Sequence, residues 1–319
     1  LELRFFRDER EGAPRRPARW AWNREGPAIS ENTERALRSD LAIFAAWCAE
    51  RGAEAMPASA ETAAAFVDDM AKVRAPATVR RYIASIASAH RAIGHGDTLR
   101  SVPVRLALQR MQRCNGDRQV SAEGLTWQLC QRLMQASGDR LIDLRNRALL
   151  AVAYDAMLRR ADLTSLLAPD LLDEGWGGAL LRVRSGKAGR KDRDETVRIA
   201  PDTLRLVHAW LSTSGIAEGY LFRSVDKGGR LGERLDPSRV PRIFKAMAQE
   251  AVLPEAAVKR LSGDSPRIGA VQDIIAAGVD LPAILEAGPW KSVAAAEGQP
   301  RRRSGALRLV RLLQGAGSG

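Results

Sequence analysis

Apolar positions recur at helical spacing from Glu31 onward. Leu37, Leu41, Ile43, Phe44 and Trp47 fall on one face of a helix that Gly52 stops. Ser59, with Glu61 close behind it, opens a second helix running through Phe66 and Val67 to about Val73. A third begins at Pro76 and Thr78 and aligns Val79, Tyr82, Ile83, Ile86 and Ala89. A fourth starts at Pro103 and carries Val104, Leu106, Leu108 and Met111. Four helices joined by short loops predict a small bundle.

Residues 114–124 are polar and glycine-containing, which suits a linker. Beyond them a helix is expected over 126–136 and a strongly apolar one over 141–158. After Pro169 the period changes: residues 178–184 and 195–199 alternate like strands around the polar turn Ser185–Lys191. Helices follow over about 203–213, 238–251, 265–277 and 306–314. The expected fold is mainly α with a small β-sheet: a four-helix N-terminal domain over 29–113, the linker 114–124, and a mixed α/β domain over 125–319. Residues 1–28, rich in Arg, Pro and Glu and without clear period, read as a basic, flexible arm.

Composition narrows the partner. The 319 residues are enough for two domains, and 45% hydrophobic with 28% charged residues is ordinary for a globular protein. A net charge of +12 is less ordinary and favours a polyanion. No apolar run approaches the roughly 20 residues of a membrane span, so nucleic acid is preferred to a membrane. The charged stretch Leu1–Arg24 carries no secretory signal, and Cys48, Cys114 and Cys130 have neither disulfide nor metal-ligand spacing. The expectation is a cytoplasmic protein without metal or cofactor.

Four positions in the second domain carry candidate chemistry. Arg159 follows an apolar helix, with Asp162 three residues on; a planar guanidinium held there can grip a phosphate, though helix-end cations are commonplace. Lys187 sits in the glycine-flanked turn, where a lysine can reach a DNA groove or protonate a leaving oxygen, or be simply solvated. In Gly263–Ala270, Asp264 reads as an N-cap and Pro266 as a first-turn residue, whereas Arg267 opposes the helix dipole and hints at an anionic partner. Trp290 follows a turn and has core packing as its plain explanation.

Taken in order, these positions resemble those of the tyrosine site-specific recombinases, the phage integrase family, over about residues 30 to 315. The resemblance implies a helical core-binding domain and a recombinase catalytic domain that clamp double-stranded DNA. It carries the family's first arginine onto Arg159, the hairpin lysine onto Lys187, the second arginine onto Arg267 and the His/Trp position onto Trp290. In such an enzyme a tyrosine attacks the phosphodiester and leaves a 3′-phosphotyrosyl link, while arginines stabilise the phosphorane. Arg80 and Arg81 on the third helix and Arg190, Lys191 and Arg193 in the hairpin are candidate DNA contacts, joined by Arg301–Arg303. The amphipathic stretch 307–313 would dock on a neighbouring copy, as in a tetramer on paired sites, or fold back on its own domain.

Two positions depart from the family pattern. Asp264 stands where the family's His-x-x-Arg has histidine. The nucleophilic tyrosine is replaced by Gln299, counting from Trp290, or by Ala296, aligning on Gly305–Ala306. The three tyrosines, Tyr82, Tyr154 and Tyr220, all lie well before Trp290. The favoured expectation is therefore a DNA-binding protein impaired in strand cleavage. The alternatives are an active recombinase using an unrecognised nucleophile, with Ser292 and Ser304 as nearby hydroxyls, and a basic helical module that binds RNA or a protein.

Overall fold

The computed structural model describes residues 3–6, 19–22, 31–95, 98–115, 122–173, 178–184 and 195–279, and the chain divides after Gln119 into two units. The first holds helices α1 (Glu31–Glu50), α2 (Ala60–Met70), α3 (Pro76–Ala92) and α4 (Val102–Asn115). Their apolar stripes meet around Phe66, which packs edge-on against Phe44 and Trp47 with ring centroids 5.0 and 5.3 Å away. Ser59 caps α2 as its sequence suggests, its hydroxyl accepting the Thr62 N–H at 3.1 Å. Two buried polar groups cross-brace the bundle. The carboxylate of Asp40 accepts from Arg81 Nη2 at 2.8 Å and from Ser85 Oγ at 2.8 Å. His90 accepts the Ala58 N–H on Nε2, which leaves Nδ1–H to donate to the Ile86 carbonyl, each at 2.9 Å.

Within the stretch read as an arm, β1 (Leu3–Phe6) and β2 (Arg19–Trp22) pair antiparallel, with Leu3 opposite Trp22. The expectation of an unstructured segment missed this pairing because each strand spans only four residues.

The second unit is organised on α5 (Trp127–Ala136) and α6 (Leu141–Asp155). From Ala148 to Asp155 every residue of α6 is buried, so neighbours cover the helix on all sides there. After it come the short helix α7 (Arg160–Leu163) and an antiparallel sheet of β3 (Leu171–Asp173), β4 (Ala179–Val183) and β5 (Glu195–Ile199). Helices α8 (Pro201–Ser214), α9 (Val240–Glu250), α10 (Glu255–Arg260) and α11 (Ser265–Ala276) complete the described part.

The docking of α11 positions the candidate site. Leu125 N–H donates to the Ser265 carbonyl at 2.8 Å, and Trp127 N–H donates to Asp273 Oδ2 at 2.7 Å. Tyr154 Oη donates to the same Asp273 oxygen, so one carboxylate joins α5, α6 and α11. The helix approaches so closely that a Cβ on Gly269 would lie 1.9 Å from the Leu125 carbonyl oxygen. The expected linker is thus shorter than 114–124: α4 continues to Asn115, while Glu123 N–H bonds the Arg260 carbonyl at 3.2 Å and Leu125 is fully buried.

Candidate phosphate-binding site

The apolar helix expected to run to Leu158 stops at Asp155. Met157 takes a left-handed backbone with φ of +47°, which turns the chain away from the helix axis. Arg159 is therefore the N-cap residue of α7 instead of directly following the apolar helix, and it is exposed to solvent. Its carbonyl accepts the Leu163 N–H at 2.8 Å, so the Arg159 backbone is held by the turn it opens.

Arg267 comes from α11 and is only 1% exposed. Its Nη1–H donates to Asp264 Oδ1 at 3.2 Å. Asp264 occupies the N-cap position of α11, but its side chain makes no capping bond, which corrects the sequence-based expectation. Its backbone is already helical, with φ of −94° and ψ of −4°, and its carboxylate turns toward Arg267. Serines organise the turn instead: Ser265 Oγ accepts the Ser262 N–H at 2.8 Å and Ser262 Oγ accepts the Asp264 N–H at 3.1 Å.

Burial pushes the Arg267 guanidinium down to about 10; Asp264 opposes that shift, and the positive charge of Arg159 adds to it. Arg159, Asp162, Asp264 and Arg267 are therefore electrostatic neighbours, brought together from α7 and α11. Two cations, one exposed and one buried, and a half-exposed carboxylate are thus clustered at one spot, a charge pattern suited to an anion. Arg160 shapes the rim, because its Cδ would stand 3.3 Å from a Cβ on Gly263. Sequence reading passed over Gly263 and the two serines, although the Ser-Gly-Asp-Ser string is a turn signal.

The tyrosines have other employment. Tyr82 is in the core of the first unit and Tyr154 is buried with its hydroxyl on Asp273. The Tyr220 ring is covered by the Arg234 guanidinium, 4.9 Å from its centroid. Of the candidate DNA contacts, Arg80 is exposed on α3, while Arg81 chelates Asp40 through Nε at 3.1 Å and Nη2 at 2.8 Å. Lys187, Arg190, Lys191, Arg193, Trp290, Ala296, Gln299, Arg301–Arg303 and the stretch 306–314 lie outside the described residues.

A second buried arginine, Arg145 on α6, was assigned no role from sequence. Its Nη1–H donates to the Arg223 carbonyl at 3.0 Å and its Nε–H to Asn146 Oδ1 at 2.9 Å. Burial, then the nearby Arg239 charge, push it down to about 10.

Among the described residues, no helix is long and apolar enough to cross a membrane. The profile described as the phage integrase family matches residues 124–298. Recombinase cre of Escherichia phage P1 is 28% identical over 288 residues, covering 85% of this chain and 84% of its own length. An integrase/recombinase xerD homolog of Selenomonas ruminantium is 26% identical over 208 residues, 62% of this chain and 61% of its own. The Tn1549 transposon integrase, solved in complex with transposon right end DNA, shares the fold at a TM-score of 0.58 and 14% identity, over 90% of this chain and 95% of that one. The XerH site-specific recombinase bound to palindromic difH substrate does so at 0.56 and 12%, over 88% and 79%.

Proposed function

The chain belongs to the phage integrase family of tyrosine recombinases, a family of DNA recombination, and from that premise we propose that it binds a specific duplex DNA site while being impaired in strand cleavage. The observation that carries this reading is the ion pair of the buried Arg267 with the half-exposed Asp264 beside Arg159. The two arginines form half of a phosphate cradle. In the family's reaction they would stabilise the phosphorane, with Lys187 protonating the leaving 5′-oxygen and Trp290 holding the phosphate. A carboxylate at position 264 opposes the developing negative charge where a histidine would donate to it. Neither Ala296 nor Gln299 offers a hydroxyl to attack phosphorus, and the three tyrosines are engaged elsewhere.

Residues 29–113 are proposed as the core-binding half of a clamp and 125–319 as the catalytic half, joined through the linker. Arg80 on the first half, and Arg190, Lys191 and Arg193 on the second, contribute phosphate contacts. Assembly of copies on paired sites through the stretch 307–313, in a cytoplasm, completes the reading.

A nicked suicide duplex tests the cleavage statement. The native chain is expected to form no covalent adduct on a denaturing gel, and an adduct would refute impairment. Ala296→Tyr or Gln299→Tyr alone is expected to give little adduct. The same change combined with Asp264→His should give more, since both groups are then restored.

A further inference from the structure

One modestly basic element lies outside the positions already discussed. Residues 221–235 form a hairpin whose turn reads Asp226-Lys227-Gly228-Gly229-Arg230. The backbone of that turn is bonded within itself. Asp226 Oδ1 accepts the N–H groups of Gly228 and Arg230, both at 2.8 Å, and Asp226 N–H donates to the Arg230 carbonyl at 3.0 Å. Gly229 completes the reversal with φ of +81°. Below the tip, Gly232 N–H bonds the Ser224 carbonyl at 2.8 Å and Leu235 N–H bonds the Phe222 carbonyl at 3.1 Å.

The hairpin base is laced to the segment that carries Arg159. Leu221 N–H donates to the Leu166 carbonyl and Ala168 N–H to the Gly219 carbonyl, both at 2.8 Å. Arg234, lying across Tyr220, donates from Nε to the Thr164 carbonyl, the C-cap of α7, at 3.3 Å. Arg145 holds the opposite strand through the Arg223 carbonyl at 3.0 Å. A fully bonded turn on a bolted base nevertheless holds Lys227 and Arg230 out in solvent. Neither makes an ion pair among the described residues, and the adjacent Asp226 turns its Oδ1 to backbone N–H groups.

We infer that this hairpin is a second, preformed phosphate-contact element, in which Lys227 and Arg230 grip the duplex backbone away from the phosphate held by Arg159 and Arg267. The inference rests on the DNA-binding reading above. Rigidity is what makes the contact effective, because little side-chain or loop ordering is then spent on binding.

The test is a salt titration of binding to a duplex of arbitrary sequence, three helical turns long. It compares the native chain with Lys227→Ala/Arg230→Ala and with the control Lys72→Ala/Arg205→Ala. Both control cations are exposed and paired, with Asp69 and Asp202. Each phosphate contact contributes about 0.9 to the slope of log K against log salt, so the hairpin variant is expected to lose about 1.8 and the control none. An unchanged slope in the hairpin variant, or an equal loss in the control, overturns the inference and leaves the DNA-binding reading intact. Absence of salt-dependent duplex binding by the native chain overturns both.

Discussion

Replacing Gly269 by alanine sets two opposite effects against each other. In a solvent-facing helix interior the change stabilises by about 1 kcal/mol, because alanine is the better helix former. Here the new Cβ would sit 1.9 Å from the Leu125 carbonyl oxygen, 2.0 Å from its carbon and 2.4 Å from the Thr126 nitrogen. All three are backbone atoms that cannot rotate aside, and ordinary contact needs about 3.5 Å, so α11 must withdraw by more than about 1 Å. Withdrawal strains the bonds Leu125 to Ser265 and Trp127 to Asp273, at 2.8 and 2.7 Å, and with them the Tyr154 contact. At roughly 1 kcal/mol for each of the three bonds and ~1–3 for overpacking, the loss is about 4–6 kcal/mol, several times the helix-propensity gain. Urea unfolding followed by far-UV circular dichroism is the assay, with a midpoint expected to fall by more than about 1 M. Because Arg267 rides on the same helix, duplex binding should weaken as well. A Gly269→Ala chain as stable as its parent, or more so, would refute the docking argument.

Other expectations follow from single contacts. Arg81→Ala strands the buried Asp40 carboxylate and should cost about 1–3 kcal/mol in a urea melt, whereas the change at exposed Arg80, Arg80→Ala, should cost less than about 0.5 kcal/mol and lower DNA affinity. Val252 is a β-branched residue at φ of +53°, 84% exposed, in the turn closing α9. Val252→Gly should therefore raise stability by about 0.5–1 kcal/mol, and a lower melting temperature would contradict that. Burial holds the Cys48 thiol up to about 11, so near pH 8 almost none of it is thiolate, while Cys114 is exposed. Iodoacetamide should then label Cys114 first in the folded chain, and mass spectrometry finding rapid native-state labelling of Cys48 would count against its burial. Tyr154→Phe removes one donor from Asp273 and should cost about 1–2 kcal/mol without abolishing DNA binding.

The long helices were legible in the sequence because their burial is periodic, and Ser59 marked the start of α2 by its chemistry. Short elements were not: α7 and β3, at four and three residues, are too brief to show a period. Nothing in the sequence shows that a methionine adopts the left-handed conformation at 157, so Arg159 was expected at a helix end and instead begins a new turn. The partnership of Asp264 and Arg267 was hidden by a competing rule. An aspartate before a helix is ordinarily a cap, yet three residues of separation equally suit an ion pair, and burial of the arginine decides between them. The tight seat of Gly269 depends on Leu125, far away along the chain, and sequence order alone does not bring them together.

The Asp264–Arg267 pair has one more consequence when seen from the ligand's side. A carboxylate three residues from its guanidinium is a competitor tethered to the receptor, present at an effective concentration on the order of millimolar or above. A small free anion must outbid it alone. A phosphate within a duplex arrives already held by its neighbours, so its own local concentration rivals the tether's. On the DNA-binding reading proposed above, the pair would favour a polymer of phosphates over isolated sulfate or phosphate ions.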